Sequence, residues 1–407
     1  MSVRGRRIAA VGLVFALLAA CGSNAKPEAT VTLNWYVGPD RIDAQALATS
    51  CNTGEYRIAV KELPTDVNER HQALVRRLVA KDASIDLLSL DSAFTAEFAE
   101  AQFLAPVPED LIPEYSKDIV PAALQAATYE NALVVAPWWF DPQLLWFRGK
   151  VAERAGLDTT KAVSWDALIA GAQRLGLTVQ IDDPDGSGLS ELLNALIAGS
   201  DGQLIAGTGR SAKVGLDSDA GRAAAGVVKF YNDAKVGPGP SRNALEAFAA
   251  PNGGFLLAPS SVISDPALAG VAADMGWAPY PMNGTTSVAP LAGIGLAVPL
   301  YATHTDLSYK AISCLTSPSV MRAIMSSVGH SSSRLTTYDD PALGTTFPMA
   351  LVTKAAVTSG RAVPSTPYWN LVRRAIDDSW LPLTGVNDDT PKNSQRIVTA
   401  RLRGDLP

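Results

Sequence analysis

Three aromatic rings and a carboxylate stand side by side in the sequence, at Trp138, Trp139, Phe140 and Asp141. Aromatic faces stack on the apolar C–H faces of sugar rings, and a carboxylate accepts charge-assisted hydrogen bonds from hydroxyl groups. Neighbouring residues of a strand point to opposite faces, so the three rings cannot all enter one core. The segment predicts a binding surface for a neutral, hydroxyl-rich molecule. Taken singly, each ring is equally well explained as a core residue.

Asp91 is a second candidate ligand contact. It follows the apolar segment 85–90, which is typical of a buried strand, and it precedes the helical pattern of 92–101. Ligands of open α/β folds bind at the carboxyl ends of parallel strands. The same position also suits an N-cap, whose side chain accepts a hydrogen bond from the first turn of the helix. Both interpretations remain open on the sequence.

Nucleophilic catalysis has only a weak motif. The chain has three histidines, at 71, 304 and 330, and the segment 329–333 (GHSSS) imitates the Gly-x-Ser-x-Gly motif of hydrolases. It lacks the second glycine, and the residues before it, Met321–Val328, have a helical pattern where that motif needs a strand. We therefore interpret 329–333 as a polar turn after a helix, and we expect no enzyme.

Metal and nucleotide chemistry also lack a motif. The segment 183–188 (DPDGSG) resembles the start of a calcium-binding loop, but Asn194 stands where that loop needs a bidentate glutamate. A turn leading into a helix explains the segment better. The sequence contains no CxxC, HExxH or P-loop motif. We expect neither a metal nor a cofactor.

The elements that position these residues alternate between strand and helix patterns. The first third reads strand, helix, strand, helix, strand, helix, at 31–37, 41–51, 56–63, 68–81, 85–90 and 92–101. Such alternation predicts a parallel sheet with helices on its faces. A second α/β stretch spans 137–280, with helices at 166–175, 189–198 and 218–234. It is followed by a strand at 291–300, a helix whose first part is 306–314, and a mainly helical tail at 367–407. Two α/β lobes are therefore expected.

The amino-terminal segment has the pattern of a secretory signal. Arg4, Arg6 and Arg7 precede an apolar run at 8–20, which at 13 residues is shorter than the ~20 that span a bilayer. The run ends in Leu-Ala-Ala-Cys, which resembles a bacterial lipobox and implies lipidation of Cys21. We expect a signal peptide at 1–20, a tether at 21–30, and a lipid anchor that holds the protein on the extracytoplasmic face of the cell membrane.

Charge and the remaining cysteines narrow the class of protein further. With 40 acidic against 34 basic residues, the chain lacks the basic surface that nucleic-acid binding requires. Once Cys21 is set aside, Cys51 and Cys314 are left. An exported chain meets an oxidising environment, which favours a disulfide between them, with two buried thiols as the alternative.

Several segments resemble one family, the actinobacterial extracellular solute-binding lipoproteins that serve sugar importers of the ABC type. The most specific is 90–101 (LDSAFTAEFAEA), and the resemblance extends over nearly the whole mature chain. Further matching segments are 136–148, 186–189 with Asn194, 292–298 and 364–368. Cys51 and Cys314 also lie where trehalose-binding members have cysteines. The chain departs from the family pattern at Ser187, Leu257-Ala258-Pro259 and Val363, where relatives carry Glu or Asp, Trp and Arg.

The resemblance implies a two-lobed periplasmic-binding-protein fold that closes on its ligand by a hinge. Lobe one would comprise 31–136 plus 285–338, and lobe two 137–284 plus 339–407. The implied ligand is trehalose or a related di- or oligosaccharide, and the implied partners are ABC permease subunits with their ATPase. The resemblance carries ligand contacts over to Asp91 and Asp141. The full set of candidate contacts adds the aromatic cluster and two residues of the matching segments: Trp138, Trp139, Phe140, Gly293 and Tyr368.

Three functional hypotheses follow. The leading one is a lipid-anchored carbohydrate receptor of an importer, which captures its ligand without chemistry. The second is a lipid-anchored hydrolase built on the Ser331 segment. The third is a divergent family member that acts as an adaptor and binds no small ligand, because several family positions are altered.

Overall fold

The computed structural model describes residues 30–405. The expected signal peptide, the expected lipidation site at Cys21 and all but the last residue of the expected tether lie outside the described residues. The strands are β1 (Val31–Val37), β2 (Tyr56–Glu62), β3 (Leu87–Asp91), β4 (Thr128–Tyr129), β5 (Ala132–Leu133), β6 (Ala136–Arg148), β7 (Thr178–Asp182), β8 (Ile205–Ala206), β9 (Lys213–Val214), β10 (Pro240–Ser241), β11 (Gly253–Pro259), β12 (Met275–Ala278), β13 (Pro290–Ala297) and β14 (Arg361–Ala362).

The α-helices are α1 (Ala44–Ser50), α2 (Val67–Val79), α3 (Thr95–Glu100), α4 (Ile112–Ser116), α5 (Pro121–Ala126), α6 (Val151–Arg154), α7 (Trp165–Leu175), α8 (Gly188–Gly199), α9 (Asp219–Asp233), α10 (Ala244–Ala249), α11 (Thr305–Leu315), α12 (Pro318–Val328), α13 (Leu343–Thr346), α14 (Ala350–Ser359), α15 (Trp369–Trp380) and α16 (Thr390–Arg403). Short 3-10 helices include Ser92–Phe94, Ser260–Ser264 and Leu335–Asp339. Within residues 30–405, no helix is long and apolar enough to cross a membrane.

One sheet runs through the whole molecule in the order β10-β7-β11-β6-β13-β3-β1-β2. At one end β1 pairs in parallel with both β2 and β3, which confirms the predicted strand-helix alternation. At the other end β7 is parallel to β10 and β11. The central strand β6 is antiparallel to β13 on one side and to β11 on the other. Strands β6 and β13 thereby connect two parallel subsheets.

Two hydrophobic cores divide the molecule into the lobes that the sequence predicts. The core of lobe one is built from β1, β2, β3 and their helices together with α11 and part of α12. The core of lobe two contains β7, β11 and the carboxy-terminal helices. The change of core falls inside β6, between Trp139 and Phe140, and inside β13, between Leu291 and Leu296. Helix α5, expected in lobe one, packs on the core of lobe two. The exact lobe boundaries stay a prediction.

Trp138 and Phe140 are core residues, which corrects their expected place on a binding surface. The Trp138 ring is fully buried in lobe one beside Trp35, and its Nε1 donates to the carbonyl oxygen of Leu315 at 2.9 Å. Phe140 is buried in the core of lobe two. The prediction from strand alternation was wrong for these two rings because β6 is a central strand. Its residues 136–146 are buried on both faces, so neither face is a surface.

The disulfide between Cys51 and Cys314 is present, as predicted. Cys51 follows the last residue of α1, and Cys314 lies in α11. Their Cα atoms are 5.8 Å apart, inside the range that a disulfide requires. The bond ties the first helix of lobe one to a helix that the chain adds 263 residues later.

Gly293→Ala should lower the free energy of unfolding by about 1–3 kcal/mol, the usual cost of forcing extra atoms into a packed site. A Cβ at position 293 of β13 would meet the ring of Phe140 and would lie 2.5 Å from the carbonyl oxygen of Trp139. Urea denaturation measures the difference. Gly344→Ala is the control, since an added Cβ there meets nothing within 4 Å. Equal losses in the two variants would contradict the close approach of β13 to β6.

Candidate functional site

A chamber of about 160 Å³ lies where the two lobes meet, beside the crossing strands β6 and β13. Its walls come from both lobes. Lobe one supplies Asp40, Arg41, Arg70 and Asp91, and lobe two supplies Asp182, Asp183, Asp185, Glu191 and Ser261. Trp139, Asp141, Gly293 and His330 line the floor between them.

Four polar residues of the chamber wall lie at the end of a strand or shortly after it. In lobe one, Asp40 follows the end of β1 and Asp91 is the last residue of β3. In lobe two, Asp182 is the last residue of β7, and Ser261 follows the end of β11. The strands of each pair are parallel, so their carboxyl ends meet at one edge. Each lobe therefore turns the ligand-binding edge of an α/β sheet towards the chamber.

Asp91 combines the two roles that the sequence left open. Its Oδ1 accepts a hydrogen bond from the amide of Ala93 at 2.9 Å, as an N-cap does. Its Oδ2 lies 3.6 Å from the guanidinium of Arg70 and on the chamber wall. Burial raises the pKa of the Asp91 carboxyl, and the charge of Arg70 opposes that shift. One oxygen therefore fixes the helix while the other faces the chamber; its contact with a ligand stays a prediction.

The Asp141 carboxylate lines the chamber and is already engaged by two described residues; its contact with a ligand stays a prediction. Its Oδ2 lies 2.5 Å from Nδ1 of His330, and its Oδ1 accepts from the amide of Ser331 at 2.5 Å. The imidazole of His330 stacks on Trp139, with ring centroids 4.2 Å apart and planes 20° apart. Because a carboxylate only accepts, Nδ1 is the donor, and Nε2 is the ring nitrogen left without a partner among the described residues. Asp141 is a positioning residue for His330.

Five buried polar atoms on the chamber wall have no hydrogen-bond partner among residues 30–405. They are Asp40 Oδ2, Trp139 Nε1, Asp182 Oδ2, Ser261 Oγ and His330 Nε2. A buried polar atom without a partner costs about 1–3 kcal/mol, so folded proteins rarely tolerate such atoms without a reason. Here donors and acceptors from both lobes converge on one chamber. The arrangement suits a ligand that presents several hydroxyl-like groups.

The chamber is strongly acidic. Seven carboxyl groups and two guanidinium groups line it. Burial raises the pKa of Asp40 to about 6, that of Asp182 to about 7 and that of Glu191 to about 8, and nearby carboxylates add to each shift. These three groups are thus poised to change protonation near neutral pH.

The lobes are closed over the chamber. Four side-chain contacts join them at its mouth: Arg41 to Asp265 at 2.9 Å, Arg70 to Asp185 at 2.8 Å, Arg242 to Asp66 at 2.5 Å and Arg373 to Asn68 at 2.5 Å. Each contact joins a residue within the first hundred positions of the chain to a residue of lobe two. Together they join the two lobes across the chamber.

The two remaining predicted ligand contacts, Gly293 and Tyr368, have different outcomes. Gly293 lines the chamber but contributes only backbone. Tyr368 lies elsewhere, half-buried, with the guanidinium of Arg210 over its ring at 4.8 Å, so its predicted ligand contact is not supported. Sequence analysis missed Asp40, Asp182, Ser261 and His330. Asp182 had a usable signal, since it ends an alternating strand as Asp91 ends an apolar one.

The segments that imitate catalytic motifs have structural roles. Ser331 is fully buried, with its hydroxyl 2.8 Å from that of Ser260. Gly329 ends α12 in the left-handed conformation (φ +82°), as a helix cap. In the 183–188 loop, Asp183 accepts from the loop's own amides at Gly186 and Gly188. In the described part of the chain, no group of three or more His, Cys, Asp or Glu side chains is placed to hold a metal ion.

Known proteins share this architecture. MalE3 of T. maritima, solved with maltose, has a TM-score of 0.79 at 20% identity, covering 93% of this chain and 100% of that one. The GacH receptor of Streptomyces glaucescens has the same TM-score and coverage at 19% identity. An ABC transporter solute-binding protein of Thermotoga lettingae, solved with α-D-tagatose, has a TM-score of 0.76 at 18% identity, covering 92% and 99%. These matches confirm the two-lobed binding-protein fold.

The family model for bacterial extracellular solute-binding proteins matches residues 63–322, well over half of the chain. All of these matches are to binding proteins and receptors, not to enzymes. This chain therefore belongs to the family of bacterial extracellular solute-binding proteins.

Proposed function

We propose that this chain is the sugar receptor of an ABC importer and that it captures its sugar in the inter-lobe chamber. The five unpartnered polar atoms on the chamber wall carry this proposal. Sugars present hydroxyl groups that both donate and accept hydrogen bonds, and the wall offers both: acceptor atoms on Asp40 and Asp182, and a donor on Trp139. The neighbouring structures support the same class of ligand, since they were solved with maltose, acarbose and tagatose.

The closed chamber suits one sugar ring. Its volume is about 160 Å³, and a cavity of about 150 Å³ in another protein holds a single six-membered benzene ring. A disaccharide such as trehalose, which the sequence resemblance implied, would need the lobes to stand further apart. We therefore propose a monosaccharide-sized ligand and keep trehalose as the comparison in every binding test.

Capture requires positioning and closure, with no bond made or broken. The sugar would bind the strand ends of one lobe and then draw the second lobe over itself, since the wall atoms of Asp40 and Asp182 come from opposite lobes. The contacts at the mouth would hold the closed form. We infer that the closed form docks on the permease subunits, whose ATPase drives import.

The lipid anchor is part of the proposal. Cys21→Ala should convert a membrane-held protein into one that is released, because two or three acyl chains hold a protein at a membrane whereas none remains in the variant. Detergent phase separation of the expressed protein measures this, with wild type in the detergent phase and the variant in the aqueous phase. Cys51→Ala serves as the cysteine control and should stay in the detergent phase. Wild type in the aqueous phase would contradict the anchor.

Calorimetric titration against a panel of monosaccharides, polyols, maltose and trehalose tests the proposed function. The proposal predicts saturable heat at one site per chain, no product formation, and a monosaccharide-sized ligand as the tightest binder. Formation of a product would favour the hydrolase hypothesis. Absence of heat across the panel would favour the adaptor hypothesis and contradict ours.

A further inference from the structure

Two carboxyl groups on the chamber wall have no hydrogen-bond or ion-pair partner among residues 30–405. Asp182 is 4% exposed, and neither of its oxygens accepts a hydrogen bond or forms an ion pair with another described residue. The same is true of Asp40 on the opposite lobe, within residues 30–405. A buried carboxylate without a partner is costly, so each is expected to meet one in the ligand.

The two arginines of the chamber are already engaged. Arg70 lies 2.8 Å from Asp185 and 3.6 Å from Asp91, and Arg41 lies 2.9 Å from Asp265 at the mouth. Among residues 30–405, Glu191 accepts only from the hydroxyl of Ser187, at 2.9 Å. Where Asp182 is ionised, above its raised pKa of about 7, a positive charge that would pair with it is left to come from what enters the chamber.

We propose, as a refinement that rests on the sugar-receptor function, that the preferred ligand is an amino sugar whose protonated amine binds Asp182. A neutral sugar would fill the space and meet the donors and acceptors, yet it would supply no counter-charge to an ionised Asp182. The carboxyl groups are spread around the wall, and no three of them in the described residues converge as metal ligands would. A single ammonium group on a six-membered ring fits the volume of the chamber and the charge of an ionised Asp182.

The protonation of Asp182 links this binding to pH. Burial raises its pKa to about 7; Arg41 opposes that shift, whereas Asp183, Asp185 and Asp265 reinforce it. An ammonium group favours the ionised carboxylate, so binding must expel the proton that the empty site holds below about pH 7. The preference for the amine is therefore expected to weaken from pH 7 to 5.5. Over that range a sugar amine keeps its own proton, because amines beside electron-withdrawing groups titrate near 7.7–8.0.

Matched pairs of sugars test the inference by calorimetry: glucosamine with glucose, galactosamine with galactose, and 6-amino-6-deoxyglucose with glucose. At pH 7 we expect one amino sugar to bind at least tenfold more tightly than its hydroxyl parent, and this advantage to shrink at pH 5.5. Asp182→Asn should abolish the advantage, so that an amino sugar and its hydroxyl parent bind the variant with equal affinity. Asp201→Asn, on an exposed turn of the same lobe, should leave the advantage intact.

The outcomes separate the two proposals. Parent sugars that bind as tightly as every amino partner would overturn the amine preference and leave the sugar receptor standing. A lack of binding to all sugars would overturn both. An amine advantage that survives Asp182→Asn in full would overturn the role of Asp182. If that variant fails to fold, as judged by circular dichroism, the pH dependence of wild type decides: an advantage equal at pH 5.5 and 7 overturns the assignment.

Discussion

His330→Ala should weaken sugar binding by roughly 10- to 100-fold, which corresponds to the loss of about 1.4–2.8 kcal/mol at a buried hydrogen-bonding position. The substitution removes Nε2, the hydrogen-bonding nitrogen of the ring that Asp141 holds in place, and it removes the ring that stacks on Trp139. Both effects act at the floor of the chamber, which every occupant must touch. Calorimetry with the tightest sugar of the panel measures the change.

The variant will also lose some stability, because Oδ2 of Asp141 is left buried without its donor. His304→Ala controls for that loss. His304 also holds a buried carboxylate, Asp86, at 3.0 Å, but it lies away from the chamber wall. We expect it to reduce stability without changing affinity. Equal affinity of His330→Ala and wild type, or equal weakening in both variants, would count against the chamber.

Removing the disulfide should lower the free energy of unfolding by about 2–5 kcal/mol, because the bond closes a loop of 263 residues in the unfolded chain. For a lobe-sized unit this corresponds to a fall in Tm of roughly 4–20 °C. The double variant Cys51→Ala/Cys314→Ala is the direct test, by thermal unfolding. Alanine is chosen because Cys51 is buried, and serine would bury a hydroxyl there.

A reductant provides the matched comparison for the disulfide. It should lower the Tm of wild type towards that of the double variant and leave the double variant unchanged. Sugar affinity should stay the same in both, since neither cysteine lines the chamber. A reductant that shifts both proteins equally, or neither, would show that the bond does not contribute to stability.

The sequence predicted the layout of the fold well because the signals were local. The strand-helix alternation of the first hundred residues predicted both the parallel sheet and the position of Asp91 at the carboxyl edge of that sheet. The same rule applied to β1 and β7 would have found Asp40 and Asp182, since each carboxylate also follows a strand. The strands of lobe two were harder to see because β7 lies between the longer helices α7 and α8, and because β11 contains a continuous apolar run, which periodicity alone does not distinguish from a buried helix.

The roles of the aromatic cluster depend on distant parts of the chain. Alternation along β6 shows that neighbouring rings face apart, but it does not show that helices cover both sides of the strand. The engagement of Asp141 by His330 joins residues 189 positions apart, and no local pattern predicts it. Trp139 lines the chamber while its neighbours Trp138 and Phe140 fill separate cores, because the change between lobes happens inside this strand.

A crystal structure of the protein with its tightest sugar is the most direct test of the proposed binding chamber. We expect one sugar ring between the lobes, within hydrogen-bond distance of His330 Nε2, Trp139 Nε1 and Asp182, with the contacts between Arg70 and Asp185 and between Arg41 and Asp265 retained. A sugar bound anywhere else, such as the open groove between α5 and residues 358–366, with the chamber filled only by water, would contradict the account.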